Sequence, residues 1–275
     1  GNPFHHHQDL NRLKAAWQVP KTVICHELVW SSTALHSDIV LPVASFLERN
    51  DIGGAPNEDI LIAMKQALPK FKESLTDYEI FSCIADKLGN ADSFTEHKSE
   101  MDWLNSIYQA TASANTDMPD FNTFWTKGIH AFPKPMPSNL FSKFRKSPET
   151  QKLATDNGLI MLSLDTLGHP AWYEPNEWLG KKGPHSFQLI THQPESRLHS
   201  QLYHGEKSQS ETIHGLAPLS INPIDANALG LKENQKVCVS NKRGAFYAGL
   251  RIDENIMPGV LGIATGAWWD PDKNG

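Results

Sequence analysis

The strongest constraint on the fold lies after residue 186, where five short apolar segments follow one another with turn residues between them. Val, Ile, Leu and aromatic residues dominate these segments, and Gly, Pro, Asn and Lys divide them, which is the pattern of β-strands. The segments read SFQLITH, APLSINP, KVCVSN, GAFYAGLRI and GVLGIAT. Because many short strands must hide their edges, we expect residues 186–275 to form an all-β module, most simply a barrel.

Residues 1–90 follow a different pattern, in which helix-like and strand-like segments alternate. Residues 8–18 carry apolar side chains at helical spacing, and residues 76–89 open on the capping pattern T-x-x-E and end on glycine, so both are predicted as helices. Residues 22–29 and 38–45 are predicted as short buried strands with polar residues between them. Strands and helices that alternate at this spacing indicate a parallel α/β sheet.

Residues 91–185 are more polar and look like a connector with a peripheral helical segment. A helical pattern surrounds MDWLNSIYQA, a proline-rich stretch contains FPKPMPSN, and residues 158–163 (GLIMLS) are predicted as a further strand. We therefore expect three regions: an α/β part over 1–90, this connector, and a β module over 186–275. The predicted fold class is α/β followed by mostly β.

Composition excludes several classes of protein. Lys+Arg 25 against Asp+Glu 31 leaves a net charge of -6, so bulk attraction to nucleic acid is not expected. No run of about 18 apolar residues occurs, so no membrane span is predicted. The three cysteines, Cys25, Cys83 and Cys238, lie far apart without a C-x-x-C pair, so we expect buried free thiols rather than disulfides or a zinc site.

Three polar side chains stand where open α/β sheets bind nucleotides, near the carboxyl ends of the predicted strands. Glu27, with His26 beside it, could accept a hydrogen bond from a ribose or a base edge, and Arg49 could bind a phosphate through two parallel hydrogen bonds. A satisfied surface pair at His26 and Glu27, and an exposed ion pair at Arg49, are the alternatives. Asp77 opens the second predicted helix and is foremost a helix-terminus residue.

Three consecutive histidines, His5, His6 and His7, precede the first predicted helix. A loop that enters a helix N-terminus offers free backbone N–H groups, and with imidazole donors beside them it favours an anion such as phosphate. A metal site, a truncated purification tag and an ordinary polar loop are the alternatives. Adjacent residues are awkward metal ligands, so the anion-binding loop and the ordinary polar loop are the interpretations that we retain.

The densest group of polar side chains lies in residues 191–205 (THQPESRLHSQLYHG), directly after a predicted strand. It contains His192, Arg197, His199, Ser200, Gln201 and His204. So many hydrogen-bond donors in one loop suit a polar heterocycle that carries phosphates. Ser200 lacks the G-x-S-x-G context of a hydrolase nucleophile, and neither G-x-G-x-x-G nor G-x-x-x-x-G-K-[ST] occurs in the chain. Trp268 and Trp269 are expected to be buried in aromatic packing.

Several longer motifs occur in a fixed order along the chain. They are GNPFHHHQDLNRL, HELVWSSTALHSDIVLPVASFLERNDIG, TDYEIF, HPAWYEPNEW, HQPESRLHSQL, INPIDANALGL and GVLGIATGAWWDP. In this order they resemble the molybdenum enzymes of the dimethyl sulfoxide reductase family, most of all the dimethyl sulfoxide, trimethylamine N-oxide and biotin sulfoxide reductases. The resemblance runs from end to end and is weakest between about residues 90 and 150.

The resemblance implies the carboxy-terminal portion of a longer chain that holds one molybdenum between two molybdopterin guanine dinucleotides. Residues 1–90 would then belong to an α/β domain that binds a guanosine diphosphate end, and residues 186–275 to a double-psi β-barrel truncated at its end. By motif position, the residues in contact with nucleotide portions would be Asn2, His6, His26, Glu27, Arg49 and Asp77. Those near the pterin or pyrophosphate would be His192, Arg197, Ser200 and Gln201.

The activity implied by the resemblance is oxygen-atom transfer from a small S-oxide or N-oxide, in the periplasm rather than the cytoplasm. The implied electron donor is a c-type cytochrome or a small reduced redox protein. In this family a serine of the amino-terminal half binds molybdenum, so we expect no catalytic residue in this chain and no turnover by it alone. Two alternatives stay open: a non-catalytic nucleotide- or protein-binding module, and another molybdopterin oxidoreductase such as a formate or nitrate enzyme.

Overall fold

The computed structural model describes residues 2–55, 58–134, 139–163, 168–175, 178, 180 and 186–271. The chain divides into two compact units. The first comprises Gly1–Arg49, Ala67–Glu96 and Glu177–Gly275, and the second comprises Asn50–Gln66 and His97–Asn176. Each unit has its own hydrophobic core.

The described part of the chain is a mixture of short helices and strands. The helices are α1 (Pro3–His6), α2 (Leu10–Trp17), α3 (Ser32–Leu35), α4 (Asp77–Lys87), α5 (Ala91–Thr95), α6 (Glu100–Ala112), α7 (Phe121–Lys127), α8 (Ser142–Lys146), α9 (Glu206–Ser210) and α10 (Pro223–Ala228). The strands are β1 (Ile24–Glu27), β2 (Ile39–Pro42), β3 (Asp51–Gly54), β4 (Ile60–Met64), β5 (Ile129–Ala131), β6 (Gln188–His192), β7 (Pro218–Ile221), β8 (Lys236–Asn241), β9 (Gly244–Ile252) and β10 (Val260–Ala264). None of the described helices is long and apolar enough to cross a bilayer.

The two helices predicted in the first unit begin where the sequence provides a side-chain cap. The Asp9 carboxylate accepts a hydrogen bond from the Arg12 amide at 3.1 Å and starts α2. Thr76 and Glu79 form a capping box at the start of α4, in which each side chain accepts a hydrogen bond from the other residue's backbone N–H. Both predicted helices are therefore confirmed, and α4 begins at Asp77.

Strands β1 and β2 pair in parallel, with Ile24 opposite Ile39. The parallel pairing is as predicted, but the prediction that these strands are buried is wrong, because Ile24 and Ile39 are 48% and 45% exposed. Within the described ranges the two strands form a sheet of their own. Because a parallel sheet is normally covered on both faces, a lone pair of this kind leaves apolar surface open.

The five strands predicted after residue 186 are all confirmed, and they form one curled sheet in the spatial order β6-β10-β7-β9-β8. The sheet is mixed, since β10 runs parallel to β6 and antiparallel to β7, while β9 runs parallel to β7 and antiparallel to β8. Its core contains Leu219, Ile221, Ala226, Ala248, Leu250 and Leu261. Because β6 and β10 are parallel and His192 lies opposite Ala264, the loops after both strands leave the same edge of the sheet.

The second unit combines an antiparallel sheet of β3, β4 and β5 with helices α6 and α7. The rings of Tyr108 and Phe124 are fully buried in its core and stack with their centroids 4.6 Å apart. The helix predicted around MDWLNSIYQA is confirmed as α6, which starts on a capping box formed by Ser99 and Asp102. The helical character predicted for the middle of the chain therefore has a physical basis in this small core.

Residues 158–163 contain no strand, so the prediction for GLIMLS is wrong. Local hydrogen bonds occupy the backbone groups that strand pairing would use, since Asn157 Oδ1 accepts from the Leu159 amide at 2.9 Å and Thr155 Oγ1 donates to the Leu159 carbonyl at 2.7 Å. Gly158 also has a φ of +74°, which is incompatible with an extended run.

The prediction of buried thiols is wrong as well. Cys25 is half-buried, and Cys83 and Cys238 are exposed. Cys238 lies on the outward face of β8, whereas its neighbours Val237 and Val239 pack against the core of the sheet. Side chains alternate between the two faces of a strand. The place of Cys238 in this alternation, rather than the apolar character of its thiol, therefore decides that it is exposed.

Candidate functional site

The first predicted site residues lie in the amino-terminal turn. Asn2 is the N-cap of α1, and its Oδ1 accepts a hydrogen bond from Thr33 Oγ1, which ties the turn to α3. The Phe4 ring is fully buried and anchors the same turn. His6 stays exposed, and its ring lies edge-on to the His199 ring with the centroids 5.5 Å apart. The turn therefore touches the loop after β6.

His5 is the member of the histidine triplet that points inward. Its ring stacks on Trp268 with the centroids 4.8 Å apart, and both ring nitrogens are buried without a hydrogen-bond partner among the described residues. Burial lowers the pKa of His5 to about 4; the neighbouring His6 adds to this shift and Glu27 opposes it. An uncharged imidazole thus lies beside His6 at neutral pH.

His26 and Asp77 come from different elements and meet at the end of β1. His26 Nδ1 lies 2.7 Å from Asp77 Oδ1, and Phe81, one turn further along α4, packs near the His26 ring with the centroids 5.0 Å apart. The His26 side chain is 16% exposed and the Asp77 side chain 65%. The imidazole is therefore held in place, while the carboxylate remains accessible to a ligand.

Glu27, the last residue of β1, is held by the start of α3. The Leu28 amide donates to Oε1 at 2.9 Å, and the Ser31 hydroxyl donates to Oε2 at 2.9 Å. Ser31 is buried and also caps α3 by accepting a hydrogen bond from the Ala34 amide. These contacts fix the carboxylate at the carboxyl end of the strand, and each oxygen keeps a second lone pair for a ligand.

Arg49 follows a loop that Glu48 holds together. Glu48 Oε2 accepts a hydrogen bond from the Ser45 amide at 2.7 Å, and Oε1 accepts one from the Phe71 amide at 2.9 Å. These hydrogen bonds, with that of Ser45 the larger, hold the pKa of Glu48 below its usual value against the opposing effect of burial. Arg49 is half-buried directly after this clamp, so its backbone position is well defined.

Two of the residues predicted after β6 belong to one edge of the sheet. His192 is the last residue of β6 and is exposed. Arg197 reaches the segment after β10, where its Nη2 donates to the Thr265 carbonyl at 2.8 Å, and its guanidinium lies 5.4 Å from the centroid of the Tyr203 ring. Arg197 Nε is buried without a partner among the described residues, which leaves a donor available to a ligand.

The turn at Ser200 is held by residues that follow β10. Ser200 is buried, and its carbonyl accepts a hydrogen bond from the Trp268 indole N–H at 2.9 Å. Gly266 has a φ of +83° and lies so close to this turn that a Cβ would come within 1.9 Å of the His199 carbonyl oxygen. Only glycine fits there. Gln201, the next residue of the turn, is exposed.

A polar cavity of about 380 Å³ lies beside the same loop. His192 and Arg197 line it, together with Arg251 of β9, Glu195 and Glu211. The charges of the two arginines and the two glutamates offset one another. The walls therefore suit a polar heterocycle with both donors and acceptors better than an isolated anion.

The structure brings most of the predicted residues into two groups. One group combines the amino-terminal turn with the loop after β6: His6 lies against His199, and Arg197 and Ser200 are held by the segment after β10 that also contacts His5. Asn2 belongs to the same turn, where it contacts Thr33, and Gln201 follows Ser200 in the loop. The other lies at the end of β1 and contains His26, Glu27 and Asp77. His192 and Arg49 are placed by the end of β6 and by the Glu48 loop. Among the described residues no group of three or more His, Cys, Asp or Glu could hold a metal ion.

Three residues that build the site were missed by sequence reasoning: Ser31, Gly266 and Trp268. Ser31 did have a local signal, because a hydroxyl side chain before a short helix is a typical N-cap. Trp268 acts on Ser200, which lies 68 positions earlier in the chain, and no local pattern reveals such a contact.

The fold is that of a mixed α/β protein with a curled five-stranded sheet, and polar side chains from distant parts of the chain meet in it. Residues 1–87 match the family model for molybdopterin oxidoreductase, and residues 187–274 match the model for the Molydopterin dinucleotide binding domain. The chain belongs to the molybdopterin oxidoreductases, as its motifs indicated.

Similar proteins agree with this assignment. The chain is 40% identical over 285 residues to biotin sulfoxide reductase of Cereibacter sphaeroides. The matched region covers 98% of this chain and 38% of the relative. It is 38% identical over 290 residues to the dimethyl sulfoxide/trimethylamine N-oxide reductase of the same organism, and 37% identical over 289 residues to the trimethylamine-N-oxide reductase of Vibrio parahaemolyticus; each match covers 98% of the chain and 35% of the relative. The chain thus spans little more than a third of the length of these relatives.

A solved structure has a similar fold. Acetylene hydratase from Pelobacter acetylenicus superposes with a TM-score of 0.74 over 98% of this chain and 36% of its own, at 19% sequence identity. At this identity the likeness concerns the fold alone.

Proposed function

We propose that this chain is the cofactor-binding carboxy-terminal part of a molybdenum-dependent reductase of S-oxides or N-oxides. The observation that carries the proposal is 36–40% identity to biotin sulfoxide, dimethyl sulfoxide/trimethylamine N-oxide and trimethylamine-N-oxide reductases over 98% of the chain. The same span contains both family matches. The reaction is oxygen-atom transfer from dimethyl sulfoxide, trimethylamine N-oxide or biotin sulfoxide.

The cofactor in this proposal is one molybdenum held by two molybdopterin guanine dinucleotides, and it supplies the two-electron chemistry of the reaction. The side chains of this chain bind and orient it. At the end of β1, the carboxylates of Glu27 and Asp77 can accept hydrogen bonds from a guanine edge or from ribose hydroxyls, and His26 holds the Asp77 carboxylate in position. Arg49 is assigned to a phosphate.

The second group is assigned to the nucleotide, the pyrophosphate and the pterin. The buried and unpartnered Nε of Arg197 supports this assignment, because such a donor needs an acceptor and the cofactor is rich in acceptors. Asn2 and His6 are assigned to nucleotide portions, and His192, Ser200 and Gln201 to the pterin or pyrophosphate. The cavity beside His192 and Arg197 has offset charges, which suits a pterin edge.

The proposed domains are an α/β part over 1–90, a connector over 91–185, and the first part of a double-psi β-barrel over 186–275. Exposed apolar side chains support the view that further chain covers this part of the protein. On β1 and β2, Ile24 and Ile39 are exposed. Phe81 of α4 and Leu88, which follows the helix, are exposed beside a shallow apolar groove. Such surface is normally buried against other elements.

The substrate, the electron donor and the compartment complete the proposal. The substrate is a small S-oxide or N-oxide, the donor is a c-type cytochrome or a small reduced redox protein, and the location is the periplasm. The resemblance places the serine that binds molybdenum outside this chain. The proposal therefore assigns no catalytic residue here, and the role of these residues is to bind and orient the cofactor.

The test uses the full-length protein, expressed with molybdate and purified anaerobically. We expect one molybdenum and two guanine nucleotides per polypeptide, and oxidation of reduced viologen by dimethyl sulfoxide, trimethylamine N-oxide, biotin sulfoxide or methionine sulfoxide. A matured protein without molybdenum would overturn the proposal in favour of a non-catalytic binding module. Turnover of nitrate or formate in place of the oxides would keep the cofactor and replace the activity.

A further inference from the structure

We propose that Trp268 is a positioning residue that holds the amino-terminal turn and the 197–204 loop in one fixed arrangement. The amino-terminal turn is residues 2–7, and the 197–204 loop is the chain from Arg197 to His204. The inference rests on the proposed function, since both segments carry residues assigned there to the cofactor. Trp268 makes no described hydrogen bond to the polar side-chain atoms assigned to the cofactor. Its role is to set the distance between the two segments that carry them.

The first contact of Trp268 is with the amino-terminal turn. The indole ring and the His5 ring are close to parallel, with an angle of 26° between their planes and 4.8 Å between their centroids. His5 immediately precedes His6, which is assigned to the cofactor. A stacked pair of this kind restricts both rings, and the restriction passes directly to the backbone of His6.

The second set of contacts is with the 197–204 loop. The indole N–H donates to the Ser200 carbonyl at 2.9 Å, and the His204 ring meets the indole edge-on with the centroids 4.5 Å apart. The Tyr203 ring lies nearly parallel at 6.1 Å, and the Arg197 guanidinium lies over that ring. One indole therefore contacts the loop through its polar atom and through its faces.

The backbone around Trp268 is itself fixed to the same loop. Arg197 donates to the Thr265 carbonyl, and Gly266 packs against the backbone of His199 and Ser200. The segment after β10 thus runs along the loop, and the indole extends from it to the amino-terminal turn. Among the described residues, the other aromatic contact between these two segments is the edge-on pair of His6 and His199 at 5.5 Å.

Trp269 offers a matched control. It is half-buried like its neighbour, but its described ring contacts are with Phe4 of the amino-terminal turn, Lys14 of α2 and His36 at the end of α3. Replacing the Trp269 ring therefore disturbs packing of similar size without touching the 197–204 loop. If Trp268 only stabilises the fold, both replacements should speed nucleotide release equally, whereas a positioning role through the 197–204 loop predicts faster release from the Trp268 variant.

The experiment measures how fast the full-length holoprotein releases guanine nucleotide, at a fixed interval below the unfolding midpoint of each variant. We expect W268L to release it faster by on the order of tenfold or more, because the variant loses the indole hydrogen bond and the aromatic contacts with His5 and His204. W268F keeps the stacking surface and loses the indole N–H, so its release rate should lie between those of wild type and W268L. W269L also loosens the amino-terminal turn at Phe4 but leaves its link to the 197–204 loop in place, so it should lower the unfolding midpoint and release nucleotide more slowly than W268L.

The outcomes separate the two proposals. A wild-type protein that carries neither molybdenum nor guanine nucleotide overturns the proposed function. If the wild-type protein carries both, the proposed function stands. The positioning role alone is then overturned if the Trp268 variants release guanine nucleotide as slowly as wild type, or no faster than W269L. If W268L does not fold, W268F decides, since release at the wild-type rate from that variant contradicts the proposal.

Discussion

His26 and Asp77 are 51 residues apart in the chain, yet their side chains are joined by a hydrogen bond of 2.7 Å between Nδ1 and Oδ1. The contact links the end of a parallel strand to the first residue of a helix. It places a carboxylate at the strand edge where α/β sheets bind nucleotides, and its energetic contribution is small because Asp77 is largely exposed.

We expect D77A to weaken cofactor binding while changing the free energy of unfolding by only about 1 kcal/mol or less, since the Asp77 side chain is largely exposed and the helix-terminus effect is modest. The measurements are guanine nucleotide per polypeptide after gel filtration and urea denaturation. D86A is the control, because Asp86 is 66% exposed on the same helix but lies near its carboxyl end. Equal nucleotide loss from both variants would count against a specific role for Asp77.

The capping box of α4 yields a prediction about stability. In T76A the Glu79 amide loses its side-chain acceptor in a buried position, so we expect a loss of about 1 kcal/mol, up to about 2. T76S retains the hydroxyl and should stay close to wild type. Urea denaturation followed by circular dichroism measures both, and a T76A protein as stable as T76S would show that the cap contributes nothing.

His5 yields a prediction about pH. Its pKa is about 4 in the folded chain and about 6.5 when unfolded, so the unfolded chain takes up a proton first as the pH falls. Stability is therefore lost as the pH drops from about 6.5 to about 4, by on the order of 1 kcal/mol after allowance for partial exposure of the ring.

We expect H5F, which keeps an aromatic ring on Trp268, to remove this part of the pH dependence. The unfolding midpoint, followed from pH 7.5 to pH 4, should fall less steeply in H5F than in wild type. H7F changes an exposed ring in the same turn and should follow the wild-type curve. Parallel curves for H5F and wild type would refute the assignment.

Gly266 yields a prediction about close packing. An alanine there meets the His199 carbonyl oxygen and also needs a positive φ, so we expect G266A to lose about 2–4 kcal/mol of stability. Gly230 also has a positive φ, of +64°, but no atom lies within 4 Å of the added Cβ, so G230A should lose only about 1 kcal/mol. Thermal unfolding compares the two, and similar losses would mean that the contact with His199 does not matter.

Sequence reasoning located the elements better than their surroundings. The helices at 8–18 and 76–89 and the five strands after residue 186 were found because caps and side-chain periods are properties of a few consecutive residues. The burial predicted for the strands at 22–29 and 38–45 and for the thiols was wrong, and so was the strand predicted at 158–163. Burial depends on which elements cover a segment, and the backbone of Leu159 is taken up by neighbouring side chains.

The sequence by itself determined the family of this chain, through the order of its motifs. It also determined the position of most helices and strands, through their local periodicity. Only the tertiary structure decided that His5 turns inward onto Trp268, that Ser31 holds Glu27, and that His26 reaches Asp77. The physical reason is that caps and strand periods are set by interactions over a few residues. The pairing of distant side chains is set by how the whole chain closes on its core.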